Sequence, residues 1–177
     1  MSREDFEEKK LEFLTNLKLN KFEIDALQHR TVEQASCEEW VKERSKRLTA
    51  SNFGKICKLR KTTSRKNSLI SILYQSHYFH GTTATRYGIQ FESIAKDEFE
   101  KKFGYEVAPA GLFVDPHLPF LAATPDSLIG DDSIIEIKCP FSIKDLTPLD
   151  AYKEKKLNFM FIQSGNLFLK KTHSYYY

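Results

Sequence analysis

The sequence predicts a mixed α/β (α+β) fold, with helices in the first part of the chain and strands in the second. Apolar residues recur every three or four positions before residue 104, and short alternating apolar runs bounded by turn residues follow. A further helical pattern comes after these runs. With 177 residues, 41% of them hydrophobic, the chain can bury a core and has the composition of a globular protein.

Capping residues predict where the first helices begin. Ser2 and Asp5 have the spacing of a capping box, so we expect a first helix directly after Ser2. A second helix is expected over residues 21–30. Ser36 and Glu39 repeat the capping-box spacing and predict a third, short helix.

Two more helices and a loop are expected before the strands. Either Thr49 or Ser51 would cap a short helix, and residues 60–68, rich in basic and hydroxyl side chains, predict a flexible loop. Over residues 88–103, apolar side chains at three- and four-residue steps predict a longer helix, which Gly104 ends.

Short apolar runs after the long helix predict strands joined by tight turns. Gly130, Asp131 and Asp132 predict the turn of a hairpin between the last two runs. The expected strands cover residues 105–107, 111–114, 120–124, 127–129 and 133–138. Helices around such a strand meander are typical of a layered α/β arrangement.

The composition excludes several classes of protein. No apolar run reaches the roughly 18 residues of a membrane span, and the first residues lack the apolar stretch of a signal peptide. The three cysteines have no C-x-x-C spacing, which argues against a disulfide framework or a thiolate zinc site. We therefore expect reduced thiols, an intracellular location in nucleus or cytoplasm, and no membrane partner.

Basic residues are concentrated in one stretch of the chain. Between Lys42 and Lys66 there are ten lysines or arginines and a single acid, Glu43, although the net charge is only +3. Such a stretch is either a solvated surface or a surface that binds phosphate backbones. The charge alone leaves both interpretations open.

Three carboxylates and a lysine indicate a second kind of site. Glu136 and Lys138 alternate with apolar neighbours on a predicted strand, Asp126 ends an earlier apolar run, and Glu92 borders the apolar stripe of the long helix. One interpretation is a half-exposed strand with solvated charges. The other is a metal site, because converging carboxylates need a cation to stay ionised and all-oxygen ligands suit Mg²⁺. Lys138 would then act on the attacking water or the scissile phosphate in phosphodiester hydrolysis.

The pair Pro125-Asp126, followed by Glu136-Ile137-Lys138, resembles the PD-(D/E)XK nuclease signature. Three longer segments, in matching order and spacing, resemble the YqaJ-like viral recombinase family, relatives of the lambda exonuclease. They are WVKERSKRLTASNFG, YGIQFESIAKDEFEKKFG and TPDSLIGDDSIIEIKCP. The resemblance implies a restriction-endonuclease-like core, a mixed central sheet flanked by helices. It also implies a metal-dependent DNA exonuclease of the recombination or mobile-element type.

The resemblance implies roles for individual residues of the acidic site. Asp126 and Glu136 would ligate the metal together with the Ile137 carbonyl oxygen, with Mn²⁺ as the alternative to Mg²⁺. Glu92 would be the helix-borne acid behind the metal-bound waters. Lys138 would be the catalytic lysine.

Three more positions match DNA-binding positions of the family. Arg44 and Ser51 would hold a 5′-terminal phosphate, and Thr124 would lie near the DNA backbone. The simpler interpretations are a solvated cation for Arg44 and an ordinary helix cap for Ser51. The expected partner is duplex DNA with a 5′-phosphate end, and a homo-oligomer stays open.

The resemblance does not cover the whole chain. Residues 1–35 lie outside it and are expected to form a helical N-terminal extension to a family domain over residues 36–177. In the family, a Tyr-rich stretch leads into a Gln-x-Gln helix, whereas the sequence stops at Tyr177, so we expect a C-terminally truncated domain. The main alternative to an exonuclease is an idle remnant that binds DNA or a partner, and an endonuclease is a third option.

Overall fold

Residues 1–73 and 81–173 are described in the computed structural model of the chain. The chain forms two units, one from Met1–Gln75 and Pro109–Pro125, the other from Ser76–Ala108 and Asp126–Tyr177. Each unit combines helices with short strands, so the fold is mixed α/β, as predicted. Each unit is also built from two separate segments, because the chain leaves the first unit and returns to it.

The strands are short, and four of the eight in the described residues fall where the sequence predicts strands. In chain order they are β1 (Leu48–Thr49), β2 (Ala108–Pro109), β3 (Phe113–Val114), β4 (Leu121–Ala123), β5 (Ser127–Ile129), β6 (Ser133–Ile135), β7 (Met160–Gln163) and β8 (Asn166–Leu169). β5 has the predicted bounds, whereas β3, β4 and β6 are shorter than expected.

Capping boxes begin the first two helices. The helices of the first unit are α1 (Arg3–Asn16), α2 (Lys21–Arg30), α3 (Glu38–Ser45), α4 (Ala50–Cys57) and α5 (Arg65–Leu73). Ser2 and Asp5 exchange hydrogen bonds between side chain and backbone, which confirms the predicted box. Asn20 and Glu23 form a second box ahead of α2, whose bounds agree with the predicted 21–30.

The capping box predicted at Ser36 is wrong. Residues Gln34–Ser36 form a 3₁₀ turn, and Cys37 precedes α3 without a capping hydrogen bond from its side chain. The box would need the carboxylate of Glu39, but the guanidinium of Arg30 binds that carboxylate at 2.8 and 3.0 Å. A long-range ion pair has replaced the local cap, and hydrogen bonding to Arg30 lowers the pKa of Glu39.

The region after α3 departs from the prediction in two details. Thr49 stands at the predicted cap position of α4, but its hydroxyl lies 3.0 Å from the Ser51 hydroxyl and makes no capping bond. The loop predicted over residues 60–68 is too long, because α5 begins at Arg65. The Ser64 hydroxyl accepts the Asn67 N–H at 3.3 Å, a local signal that favours the helix.

A three-stranded sheet lies in the first unit. Its order is β1–β4–β3, with β1 parallel and β3 antiparallel to β4. Leu27, Leu112, Val114 and Ala122 form a buried core, and the half-buried Trp40 packs against it. The parallel pair places β1, which follows α3, beside β4.

A close contact joins α2 to the segment ahead of β3. The buried Thr31 hydroxyl accepts the Leu112 N–H at 2.8 Å and donates to the Leu27 carbonyl at 2.7 Å. At Gly111 a Cβ would lie 1.9 Å from the Gln28 carbonyl oxygen, so only glycine fits. Residues 1–35, although outside the resemblance, therefore contribute to the core of this unit.

The same unit contains a buried arginine whose burial was not predicted from the sequence. Arg47 is 2% exposed, and its guanidinium donates to the Pro119 and Leu17 carbonyls at 3.0 and 3.1 Å and pairs with Glu43. Burial raises the pKa of Glu43, but hydrogen bonds from Lys46 and Arg47 outweigh it and lower the pKa overall. Arg47 is thus a structural residue and not part of a basic surface.

The second unit is built on one long helix. Its helices are α6 (Thr83–Phe103) and α7 (Pro148–Lys153), and β5 and β6 form an antiparallel hairpin within it. α6 begins five residues before the predicted Gly88, because the Thr82 hydroxyl accepts the Thr85 N–H. It ends at Gly104, whose φ of 71° is left-handed, as predicted.

The first predicted strand after α6 is wrong. Residues 105–107 form no strand, because the Val107 N–H donates to the Glu100 carboxylate at 2.7 Å. Beyond α7, β7 and β8 form a hairpin that was not predicted. Its two turn residues, Ser164 and Gly165, have φ of 51° and 81°, the geometry of a type I′ turn. Among the described residues, no helix is long and apolar enough to span a bilayer.

Candidate functional site

Two of the three predicted acids, Glu92 and Asp126, meet Lys138 at a cavity within the second unit. We call it the Asp126 cavity; its volume is about 620 Å³. Glu92 reaches it from α6, and Asp126 and Lys138 reach it from the two sides of the β5–β6 hairpin. The cavity therefore brings together three of the four residues predicted to be catalytic.

The hairpin register explains how Asp126 approaches the E-x-K segment. Ser127 pairs with Ile135, so Asp126 and Glu136 stand one position beyond the last strand pair. Opposed residues of an antiparallel pair share a face, which favours both carboxylates on one side. The Asp126 carboxylate accepts the Ile137 N–H, and this bond replaces the next rung of the ladder. For that reason β6 ends three residues before the predicted Lys138.

Lys138 lies between the Asp126 cavity and a neighbouring one. The second cavity, about 350 Å³, is lined by Glu136, Lys138 and mainly apolar side chains. The Lys138 ammonium group contacts the Glu136 carboxylate and donates to the Ile137 carbonyl at 3.1 Å. Glu136 lines the second cavity and not the first, so it stands at the edge of the predicted site.

A lysine that the sequence analysis missed connects Glu92 with Asp126. The Lys96 ammonium group lies 2.8 Å from the Glu92 carboxylate and donates to the Asp126 carbonyl at 3.0 Å. Lys96 is one helical turn after Glu92, so their pairing could have been read from the i,i+4 spacing. The link to Asp126 could not, because it joins residues thirty positions apart.

The electrostatics of the cavity favour a cation. Burial raises the pKa of Asp126, and the charges of Glu136 and Glu92 raise it further, against the Ile137 N–H and Lys138, which lower it. Burial, followed by the acids, also raises the pKa of the Cys139 thiol, so this cysteine has no thiolate character. A positive ion near Asp126 would offset the repulsion between carboxylates.

The donor set fits a hard divalent ion, although it is not a complete cage. Among residues 1–73 and 81–173, no three acidic, His or Cys side chains converge closely enough to hold a metal. Mg²⁺, however, usually takes one or two protein carboxylates and keeps several waters. The Asp126 and Glu136 carboxylates and the Ile137 carbonyl are oxygen ligands of the kind that Mg²⁺ takes. Their role as metal ligands stays a prediction.

The three residues predicted to contact DNA are connected in the first unit. The Arg44 guanidinium lies 4.1 Å from the centre of the Trp40 ring and 3.5 Å from the Ser51 hydroxyl. The Trp40 indole N–H donates to the Thr124 hydroxyl at 3.1 Å. We call these four residues the Arg44 cluster.

The Arg44 cluster holds its cation in a partly desolvated position. Burial lowers the pKa of the Arg44 guanidinium, which nevertheless remains charged at neutral pH. Stacking on an indole and a hydroxyl neighbour fix the orientation of the guanidinium fork. Arg44 is therefore not the freely solvated cation of the simpler interpretation. Trp40 was not among the predicted site residues, and only its place within the family-like segment pointed to it.

Comparisons with known proteins identify the family of the chain. Residues 39–163 match the family described as YqaJ-like viral recombinase domain. A crystal structure of LHK-Exo in complex with dAMP is similar, with 28% identity and a TM-score of 0.51 over 67% of this chain and 60% of that one. A second crystal structure, of the alkaline exonuclease LHK-Exo from Laribacter hongkongensis, has 29% identity and a TM-score of 0.50, over 67% of this chain and 59% of that one.

The chain spans about 60% of the length of these solved structures. No curated protein sequence matches it. The family match covers well over half of the chain and contains all the residues named above as candidate site residues. The chain therefore belongs to the YqaJ-like viral recombinase family, as its three sequence segments predicted, and it shares a fold with alkaline exonucleases.

Proposed function

We propose that this chain is a Mg²⁺-dependent DNA exonuclease that removes nucleotides from duplex ends. The observation that carries the proposal is the Asp126 cavity, in which Asp126, Glu92 and Lys138 meet. The family membership and the similarity to LHK-Exo support a nuclease acting on DNA. The Arg44 cluster supports an enzyme that works from a DNA end.

The residues of the cavity divide the chemistry among them. Asp126, Glu136 and the Ile137 carbonyl would hold Mg²⁺, which supplies Lewis acidity to the phosphate and acidifies a water. Lys138 would position that water and offset the negative charge that develops on the phosphate. Glu92 would accept hydrogen bonds from waters at the α6 wall, with Lys96 holding its carboxylate in place.

The test compares linear DNA, which has ends, with covalently closed circular DNA, which has none. With Mg²⁺ present, the chain is expected to degrade a linear 5′-phosphorylated duplex and to leave a covalently closed circle intact. A chelator should stop the degradation, because Mn²⁺ and Mg²⁺ are the ions that this donor set suits. Linearised or nicked circles would instead support an endonuclease.

A second candidate function is binding of DNA without cleavage. Its support is that Glu92 and Glu136 are both engaged by lysines, Lys96 and Lys138. A chain of this kind would bind linear duplex and release no nucleotides at any Mg²⁺ or Mn²⁺ concentration. The assay of linear and circular DNA separates the two candidates.

Arg44→Ala is expected to abolish the preference for a 5′-phosphorylated end. A charge-assisted contact between a guanidinium and a phosphate should favour 5′-phosphate over 5′-hydroxyl duplex by about 10- to 100-fold in affinity. The variant should bind both duplexes alike, as measured by fluorescence anisotropy.

Arg60→Ala is the matched control for this experiment. Arg60 is exposed and lies in the same basic stretch, outside the Arg44 cluster. Its loss should weaken binding of both duplexes equally. An Arg44→Ala variant that keeps the parent's ratio of affinities would show that Arg44 does not read the 5′-phosphate.

A further inference from the structure

We propose that the apolar end of the Asp126 cavity is a nucleobase subsite, in which Phe141 stacks on a base of the bound strand. The inference rests on the nuclease function proposed above and adds a substrate contact to it. The residues that line the cavity are apolar at one end and charged at the other.

One face of α6 shows this change. Ala84, Gly88 and Glu92 follow at four-residue intervals, so they share a face, and all three line the cavity. The first two are small and apolar, whereas the third is an acid. From Gly88 to Glu92 the helix rises about 6 Å, a distance comparable with one to two nucleotides of a strand.

Contacts to α6 place the aromatic and acidic groups at different levels of the helix. The Phe141 ring meets the Tyr87 ring edge-on at 5.5 Å, and Tyr87 stacks on Phe91 at 4.3 Å. The Asp126 carbonyl instead accepts a hydrogen bond from Lys96, which is nine residues after Tyr87 on α6. The cavity thus has an aromatic end and an acidic end, as a nucleotide has a base and a phosphate.

Phe141 is held firmly while part of its ring remains open. It begins a 3₁₀ turn, Phe141–Ile143, and Ile143 is buried in a core with Ala151 and Leu157. Phe141 is nevertheless 37% exposed, and it lines the cavity. An anchored aromatic ring with an exposed part can stack on a base with little loss of conformational entropy.

The cavity that Phe141 lines is open at its α6 wall. At Gly88 an added Cβ would meet nothing within 4 Å, so the wall of α6 leaves room there. A flat base suits this space better than an aliphatic chain does, because the opposite end of the same cavity carries carboxylates and Lys138. Stacking of a base on an aromatic side chain is expected to strengthen binding by about 5- to 150-fold.

The test uses two probes, dAMP and 2-deoxyribose 5-phosphate, which differ by the base. Isothermal titration should show that the chain binds dAMP at least about fivefold more tightly than the sugar phosphate. Phe141→Leu should bring this ratio close to one and leave the affinity for the sugar phosphate unchanged. Phe141→Tyr, which keeps an aromatic ring, should keep the ratio.

Gly88→Leu probes the same space without altering Phe141. A leucine side chain would fill the open wall, so dAMP binding should weaken while sugar phosphate binding persists. This variant decides the question if Phe141→Leu proves unstable. Equal affinities of the parent for the two probes, or a ratio that Phe141→Leu and Gly88→Leu both leave unchanged, would overturn the subsite.

The subsite and the proposed function can fail separately. A chain that cleaves no DNA, yet binds dAMP in a manner that depends on Phe141, would refute the nuclease and leave the subsite standing. A chain that degrades linear duplex but shows the same probe ratio in the parent and in Phe141→Leu would retain its function and lose the subsite.

Discussion

Replacing Lys138 with alanine is expected to lower the rate of DNA cleavage by at least about 100-fold, a loss typical of a missing acid–base or charge-stabilising group. Lys138 lines the Asp126 cavity and its ammonium group contacts Glu136 and the Ile137 carbonyl. Without it, the metal alone would offset the negative charge that develops on the phosphate, and no lysine would position the attacking water. Single-turnover cleavage of a 5′-phosphorylated duplex measures the effect.

Lys101→Ala is the matched control for Lys138→Ala. Lys101 is exposed near the end of α6 and pairs with Glu98, outside the cavity. Its removal should leave the cleavage rate within about twofold of the parent, because exposed ion pairs contribute little. A Lys138→Ala variant that cleaves as fast as Lys101→Ala would remove Lys138 from the mechanism.

Gly111→Ala is expected to destabilise the first unit strongly. The added methyl group would lie 1.9 Å from the Gln28 carbonyl oxygen and 2.6 Å from the Thr31 hydroxyl. Because the nearest atom belongs to the backbone of α2, the helix must move and strain the Thr31–Leu112 hydrogen bond. We expect a loss of about 3 kcal/mol or more in the free energy of unfolding, measured by urea denaturation.

Gly88→Ala makes the same chemical change where there is space. A Cβ at Gly88 meets no atom within 4 Å, and the residue lies inside α6. Alanine there should raise the free energy of unfolding by about 0.5–1 kcal/mol, since it restricts the unfolded chain and favours the helix. A Gly111→Ala variant as stable as Gly88→Ala would show that α2 does not pack on Gly111 in solution.

Local signals allowed much of the fold to be predicted. The Ser2 capping box, the end of α6 at Gly104 and the hairpin over Gly130 each depend on residues close in sequence. The β7–β8 hairpin had such a signal too, in the Ser164-Gly165 pair between two apolar runs, although no hairpin was predicted there. More of the fold was therefore predictable from local sequence than was predicted.

Long-range contacts explain what could not be predicted. The Arg30–Glu39 ion pair displaced the cap expected at Ser36. Arg47, counted with the basic stretch, is buried because carbonyls far away in the sequence accept its hydrogen bonds. Neither partner set can be read from spacing, because both depend on how separate segments pack.

In the candidate site, too, local contacts could be predicted and contacts between separate segments could not. The ten-residue spacing of Asp126 and Glu136 matches a short hairpin, so their approach was predictable once the turn was recognised. The Lys96 bridge and the exposed ring of Phe141 were not, because both depend on how α6 faces the hairpin and the following turn.

The most direct test of the proposed site is calorimetric titration of Mg²⁺ into the parent, Asp126→Ala and Lys138→Ala, beside a nuclease assay of each. Asp126→Ala should lose both metal binding and cleavage, because an ion with few protein ligands tolerates little loss. Lys138→Ala should bind Mg²⁺ like the parent and fail to cleave. An equal loss of metal affinity in the two variants, or cleavage by Asp126→Ala at the parent's rate, would contradict the roles assigned to these residues.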